Sequence, residues 1–149
     1  MVFFQELLSN YILVTAVISW AAAQIIKTFL NFCVTKTFNA ERLVGAGGMP
    51  SAHSAFVCSL AVATAKQCGV SSHMFALAAA MAVVVMYDAM GVRRAAGEQA
   101  KTINILTDAL ENVLGNPNLV NDELKEFLGH TPVEVIAGAI LGITIALIR

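Results

Sequence analysis

A serine and a histidine stand directly before a long apolar run, in the sequence Gly47-Gly48-Met49-Pro50-Ser51-Ala52-His53-Ser54-Ala55. Ser51 is a good helix N-cap residue, and the backbone N–H groups that follow an N-cap have no partner inside the helix. Those N–H groups and the helix dipole favour a negative charge in front of the helix. His53 would lie beside such an anion and can exchange a proton near neutral pH. The segment therefore predicts a site for phosphate chemistry.

The composition indicates that this site lies in a membrane protein. Hydrophobic residues make up 58% of the 149-residue chain and charged residues only 13%, about half the charged share of an ordinary soluble domain. The formal net charge is -1, and no basic stripe interleaved with aromatic residues occurs, which argues against a nucleic-acid partner. We therefore expect a single membrane-embedded domain over residues 1–149 and a multi-pass integral membrane location.

Four apolar stretches are too continuous for surface helices and predict transmembrane helices. They run from Leu7 to Phe32, from Ser51 to Ala65, from His73 to Met90 and from Pro132 to Ile148. The second is short for a perpendicular span of about 20 residues. The predicted fold class is all-α, a polytopic helical membrane protein with about four transmembrane helices.

The connection from residue 95 to residue 128 is amphipathic. Leu106, Leu110 and Leu114 recur at helical spacing among charged residues, and Gly115-Asn116-Pro117-Asn118 predicts a break before a short second helix. The pattern favours a helix on the membrane surface before the last span. A helix that covers or lines the site is the alternative.

Threading four spans through a bilayer brings the polar residues of the chain to one face. If the first span ends near Phe32, that face receives Lys36, Arg42, His53, Asp88, Arg93, Arg94, His130 and Glu134. It also carries most of the lysines and arginines, so the positive-inside rule predicts that it faces the cytoplasm. Residues that bind an anion would bias this count in the same direction.

These residues resemble the motifs of a known superfamily. Pro50-Ser51-Ala52-His53 is similar to the Pro-Ser-Gly-His motif of the type 2 phosphatidic acid phosphatases and vanadium haloperoxidases, with alanine in place of glycine. His130 followed four residues later by Glu134 is similar to its last motif. The wider pattern resembles the small, divergent bacterial and plant branch of this superfamily, through Ala23-Gln24-Ile25-Ile26-Lys27, Tyr87-Asp88-Ala89-Met90-Gly91-Val92-Arg93-Arg94 and Gly129-His130-Thr131-Pro132.

The resemblance implies hydrolysis of a phosphate or pyrophosphate ester, on a membrane lipid, through a phosphohistidine and with no metal or other cofactor. His130 would be the nucleophile, oriented by Glu134, and His53 the general acid. The phosphate oxygens would be held by the α-helix that starts at Ser51 and by basic side chains, the resemblance implying Ser51, Ala52, Arg42 and Lys27.

One position departs from the superfamily pattern. An arginine normally stands six residues before the nucleophilic histidine, but this chain has Leu124 there and Lys125 next to it. Lysine lacks the planar fork with which arginine grips two phosphate oxygens. Arg93 or Arg94 could supply the contact instead. Four spans in place of six also suggest a trimmed core that a second copy of the chain would complete, as a homo-oligomer.

Other functions stay open at this point. The departure at Leu124 favours a non-catalytic membrane protein that binds anionic headgroups or assembles with a partner, and a small oligomeric transporter or a phosphatase of soluble substrates is a further alternative. Individual residues could also have purely structural roles, since His53 can cap a helix, His130 can belong to a turn and Asp88 can pair with Arg93.

Overall fold

The computed structural model describes residues 2–36, 48–114, 124 and 129–149, and within them every regular element is a helix. The six helices are α1 (Val2–Ser9), α2 (Tyr11–Thr35), α3 (Ala52–Cys68), α4 (His73–Met90), α5 (Val92–Leu114) and α6 (Pro132–Ile148). The predicted all-helical fold is thereby confirmed.

The first apolar stretch forms two helices, where the sequence predicted one. Asn10 separates α1 from α2 and caps α2, with its side-chain oxygen accepting a hydrogen bond from the Leu13 N–H at 3.1 Å. Asparagine favours a cap because its short side chain competes for backbone N–H groups. The result is a 25-residue helix, α2, that continues beyond Phe32 to Thr35. Lys27 lies about two turns before its end.

Helix α3 is the centre of the bundle and contacts α2, α4 and α6. Small residues at every fourth position, Ser51, Ala55, Ser59 and Ala63, are fully buried and let the neighbouring backbones approach. Ala23 of α2 packs against Ala52 and Ala55. Because α3 is surrounded on three sides, its first turn is held in a fixed place.

Two glycines allow α6 to lie directly against α3. A Cβ atom added at Gly138 would stand 2.2 Å from the carbonyl oxygen of Ser51, and one at Gly142 would stand 2.2 Å from that of Ala55. The two glycines are four residues apart, the spacing with which membrane helices pack at short range. Their contacts set α3 and α6 side by side with both N-termini at the same end of the bundle.

The outer faces of the helices are apolar, as a membrane protein requires. In the described part of the chain, α2 and the run from His73 to Leu114 are long and apolar enough to cross a bilayer, and α6 is a shorter apolar helix. Helix α3 has 17 residues, fewer than a perpendicular span needs. Four spans therefore stay a prediction.

Candidate functional site

The start of α6 builds a histidine–carboxylate pair. Thr131 caps the helix, and its hydroxyl accepts a hydrogen bond from the Glu134 N–H at 3.4 Å. Glu134 Oε2 accepts in return from the Thr131 N–H at 3.0 Å and lies 3.1 Å from His130 Nδ1. A capping box thus fixes the carboxylate that orients His130.

The backbone of His130 is tied to the turn between α4 and α5. Its N–H donates to the carbonyl oxygen of Ala89 at 2.9 Å. Gly129, at φ +90°, packs so closely on Arg94 that an added Cβ would stand 2.4 Å from the backbone nitrogen of Arg94. His130 is only 3% exposed. The start of α6 and the end of α4 therefore meet around this one histidine.

The first turn of α3 lies against the same place. The Ser51 N–H donates to the carbonyl oxygen of Glu134 at 3.0 Å, which joins the start of α3 to the first turn of α6. Ser51 Oγ accepts from the Ser54 N–H at 3.3 Å and from the Ser54 hydroxyl at 3.0 Å. In the described part of the chain, the N–H groups of Ala52 and His53 have no acceptor, so they are the amides that can bind an anion.

His53 and His130 face each other from different helix starts. Their ring centroids are 6.3 Å apart and their planes cross at 61°, so the rings do not stack. His53 is exposed while His130 is buried. A phosphoryl group placed between them can contact both rings, which is the arrangement that a nucleophile and a proton donor need.

Two cations act on both imidazole rings. Lys27 is 4% exposed, and its aliphatic chain packs on Gly48, with Cγ 3.4 Å from where a Cβ would stand. The charges of Lys27 and Arg93 are felt by His53 and by His130. Arg93 Nε also donates to Asp88 Oδ2 at 2.6 Å. The site end of the bundle therefore carries two cations whose charges act on both histidines.

The protonation of His130 suits a nucleophile. Burial lowers the pKa of His130 below its usual value, Lys27 and Arg93 act in the same direction, and the hydrogen bond and charge of Glu134 partly oppose them. A carboxylate can only accept, so Nδ1 carries the hydrogen of the neutral ring and Nε2 keeps its lone pair. The atom free to attack is Nε2.

Replacement of Glu134 by glutamine is expected to change the pH profile as well as the rate. Loss of the carboxylate removes the influence that raises the His130 pKa, so the pKa falls further. If His130 is the nucleophile, its neutral ring is the reactive form, so the acidic limb of kcat/KM should move to lower pH. Weaker orientation of the ring should also lower kcat roughly 100-fold or more. A pH–rate profile that keeps its acidic limb in place, or moves it upward, would contradict this role of Glu134.

Not every predicted residue is among the groups described above. Arg42 and Lys125 are outside the described residues, and Arg94 is exposed beside Gly129. Leu124 is held on α5, where the Asn104 side chain donates to its carbonyl oxygen at 2.9 Å and accepts from its N–H at 3.1 Å. The position where the superfamily has arginine is thus bound to the middle of α5.

Sequence reasoning gave no role to three residues that shape the site, Thr131, Gly138 and Gly142, although each left a signal. Thr131-Pro132-Val133-Glu134 has the spacing of a capping box, and Gly138 with Gly142 has the spacing of close helix packing. The hydrogen bonds of Asn104 with Leu124 join residues 20 positions apart, and no local pattern predicts such a contact.

A metal centre was not expected. Among the residues that the structure describes, no three histidine, cysteine, aspartate or glutamate side chains are grouped so that they could hold an ion. The polar groups that converge at the site are two imidazoles, one carboxylate on His130, two cations and unpaired amides. These groups suit an anion.

The fold and the comparisons define the class of protein. It is a helical membrane protein related to the phosphatidic acid phosphatases, with the superfamily motifs gathered where α3, α4 and α6 meet. The chain belongs to the divergent PAP2 family, whose model matches residues 8–145. It is 39% identical over 151 residues to the uncharacterized membrane protein YuiD of Bacillus subtilis (strain 168), and the alignment covers 96% of each chain. No solved structure matches the chain. The predicted family and membrane location are confirmed.

Proposed function

We propose that this protein hydrolyses a phosphate or pyrophosphate ester through a phosphohistidine, without a metal. The observation that carries the proposal is the pair of histidines, 6.3 Å apart between ring centroids, of which His130 is oriented by Glu134. The groups of the proposed mechanism belong to the starts of α3, α5 and α6 and to the interior of α2, and they lie at one end of the bundle. Arrangements of nucleophile, orienting acid and proton donor are typical of covalent catalysis.

The reaction would proceed in two displacements. His130 Nε2 attacks phosphorus while the bond from phosphorus to the leaving oxygen breaks, and protonated His53 gives its proton to that oxygen. The N–H groups of Ala52 and His53, Ser51, Lys27 and Arg93 or Arg94 would bind the phosphoryl oxygens, which carry the charge in the transition state. Water then attacks the phosphohistidine, neutral His53 takes its proton, and inorganic phosphate leaves.

A lipid substrate is supported by where the site lies. The site is formed by the ends of helices in a membrane protein, so a phosphate at headgroup depth can reach it while the lipid tail stays among the apolar outer faces. The positive-inside count predicts the cytoplasmic leaflet. A homo-oligomer, in which a second copy covers part of the exposed apolar surface, remains part of the proposal.

Phosphate release from defined lipids tests the proposal. Purified protein in vesicles is given phosphatidate, phosphatidylglycerophosphate or a polyprenyl pyrophosphate, with His130→Ala as the matched control. We expect release from at least one lipid with excess EDTA present, and none above background from the variant. Equal release by the wild type and His130→Ala on every substrate would overturn the proposal.

One observation favours a second candidate, a protein that binds an anionic headgroup and does no chemistry. The arginine expected at Leu124 is absent, and that backbone is held on α5. Vanadate, which bonds to a nucleophilic histidine, distinguishes the two functions. An enzyme should form an adduct that His130→Ala abolishes, whereas a binding protein should bind phosphate and form no such adduct.

A further inference from the structure

The end of α4 and the start of α5 lie against the start of α6. The Ala89 carbonyl oxygen accepts from the His130 N–H at 2.9 Å, and Gly129 packs on the backbone at Arg93 and Arg94. Asp88 precedes Ala89 in the chain. Asp88 and both arginines therefore belong to the segment that packs against the start of α6, so the backbone alone does not distinguish Arg93 from Arg94.

The side chain of Arg93 is held in one direction. Its Nε donates to Asp88 Oδ2 at 2.6 Å, and the two side chains are 50% and 37% exposed. A guanidinium has five N–H donors. Among the described residues, Asp88 is the hydrogen-bond acceptor of Arg93 and uses the Nε donor alone. The terminal Nη edge, which grips two oxygens at once, stays available.

The electrostatic influence of Arg93 agrees with the direction set by Asp88. Its charge acts on both His53 and His130, the two rings between which the phosphoryl group would sit. Leu124, by contrast, is bound to Asn104, eleven residues beyond Arg93 on α5, which is about 16 Å along the helix axis. An arginine at position 124 would thus start far from the site.

We propose that Arg93, aimed by Asp88, is the phosphate-gripping arginine of this protein and takes the place of the superfamily arginine missing at Leu124. The assignment rests on the proposed function and decides between Arg93 and Arg94. Asp88 is a positioning residue, because it acts through the guanidinium. The arginine comes from the start of α5 rather than from the segment before the nucleophile, so the same contact is reached from a different helix.

Binding of inorganic vanadate and phosphate release are measured together on purified full-length variants. Arg93→Ala should weaken vanadate binding and lower kcat/KM about 10- to 100-fold, the range for losing hydrogen bonds to a charged group. Arg93→Lys keeps the charge but not the fork, so kcat should fall more than KM rises. Arg94→Ala should change the vanadate dissociation constant and kcat/KM by less than about threefold. Lys101 is an exposed cation two turns along α5, so Lys101→Ala is the control for loss of charge alone.

The positioning role of Asp88 is tested by two substitutions. Asp88→Asn keeps an oxygen that can accept from Nε, whereas Asp88→Ala removes it. We expect Asp88→Ala to raise the KM and the vanadate dissociation constant about as much as Arg93→Lys does. Asp88→Asn should raise both constants much less. Equal effects of the two Asp88 variants, with unchanged thermal unfolding, would overturn this role.

The outcomes separate this inference from the proposed function. A wild type that neither binds vanadate nor releases phosphate overturns both. A wild type that does either, with Arg93→Ala no different from Lys101→Ala or with the loss carried by Arg94→Ala, overturns the assignment of Arg93 alone. Recovery of vanadate binding and phosphate release when Leu124→Arg is added to Arg93→Ala would also overturn it, because the structure holds position 124 away from the site.

Discussion

Loss of His53 and loss of His130 are expected to have different substrate dependence. His130→Ala should lower kcat by about 10⁴-fold or more on every substrate, because in the proposed mechanism no other group forms the bond to phosphorus. His53→Ala should lower kcat about 10²- to 10⁴-fold on an alkyl phosphate, whose leaving oxygen needs a proton. On an aryl phosphate with an acidic phenol the loss should be much smaller. Steady-state rates on one alkyl and one aryl phosphate measure the difference.

A histidine far from the site provides the control for these two variants. His73 begins α4, follows the turn after α3 and so lies at the far end of the bundle from the site. His73→Ala should therefore keep both rates. Equal losses for His53→Ala on the alkyl and the aryl phosphate would show that His53 does not act as the proton donor, and a His130→Ala variant with full activity would remove the phosphohistidine mechanism.

Replacement of Gly138 by alanine is expected to lower both the stability of the protein and its phosphate release. The added Cβ would stand 2.2 Å from the Ser51 carbonyl oxygen, so α6 must move away by more than about 1 Å to restore ordinary contact. Overpacking of this kind costs about 1–3 kcal/mol of unfolding free energy, although alanine alone favours a helix by about 1 kcal/mol. Thermal unfolding in detergent should give a lower midpoint for Gly138→Ala.

Gly142→Ala is the informative companion of that variant. Its Cβ would stand 2.2 Å from the carbonyl oxygen of Ala55, one turn further from the site. We expect a similar loss of stability and a smaller loss of phosphate release, because Ser51 and His130 lie at the other contact. Thr144→Ala, at an exposed position of α6, should change neither. A midpoint for Gly138→Ala at or above that of the wild type would contradict the close contact of α3 and α6.

Helix positions were predictable wherever neighbouring residues decide them. The apolar runs gave α4 and α6 with the bounds that the structure has, and in the structure Ser72 and Thr131 cap these helices through side-chain oxygens. The same reasoning missed the division at Asn10, because the apolar run continues on both sides of it. The predicted break at 115–118 lies outside the described residues.

The site could be predicted in part for a related reason. His53 and His130 are each next to a helix start, and the alternation of apolar spans placed both starts at one end. Their separation and the burial of Lys27 depend on contacts between residues far apart in the chain. Sequence reasoning had left Arg93 and Arg94 equivalent, because adjacent residues at a helix start have the same local pattern.

The sequence by itself determined the helical membrane class, the family motifs and the starts of α3, α4 and α6, because composition and capping act over a few neighbouring positions. The tertiary structure decided how those starts meet. Ser51 donates to Glu134 because Gly138 and Gly142 let α6 lie against α3, and His130 donates to Ala89 where Gly129 packs on the start of α5. Distances of this kind are set by backbone approach between helices, which no single segment encodes.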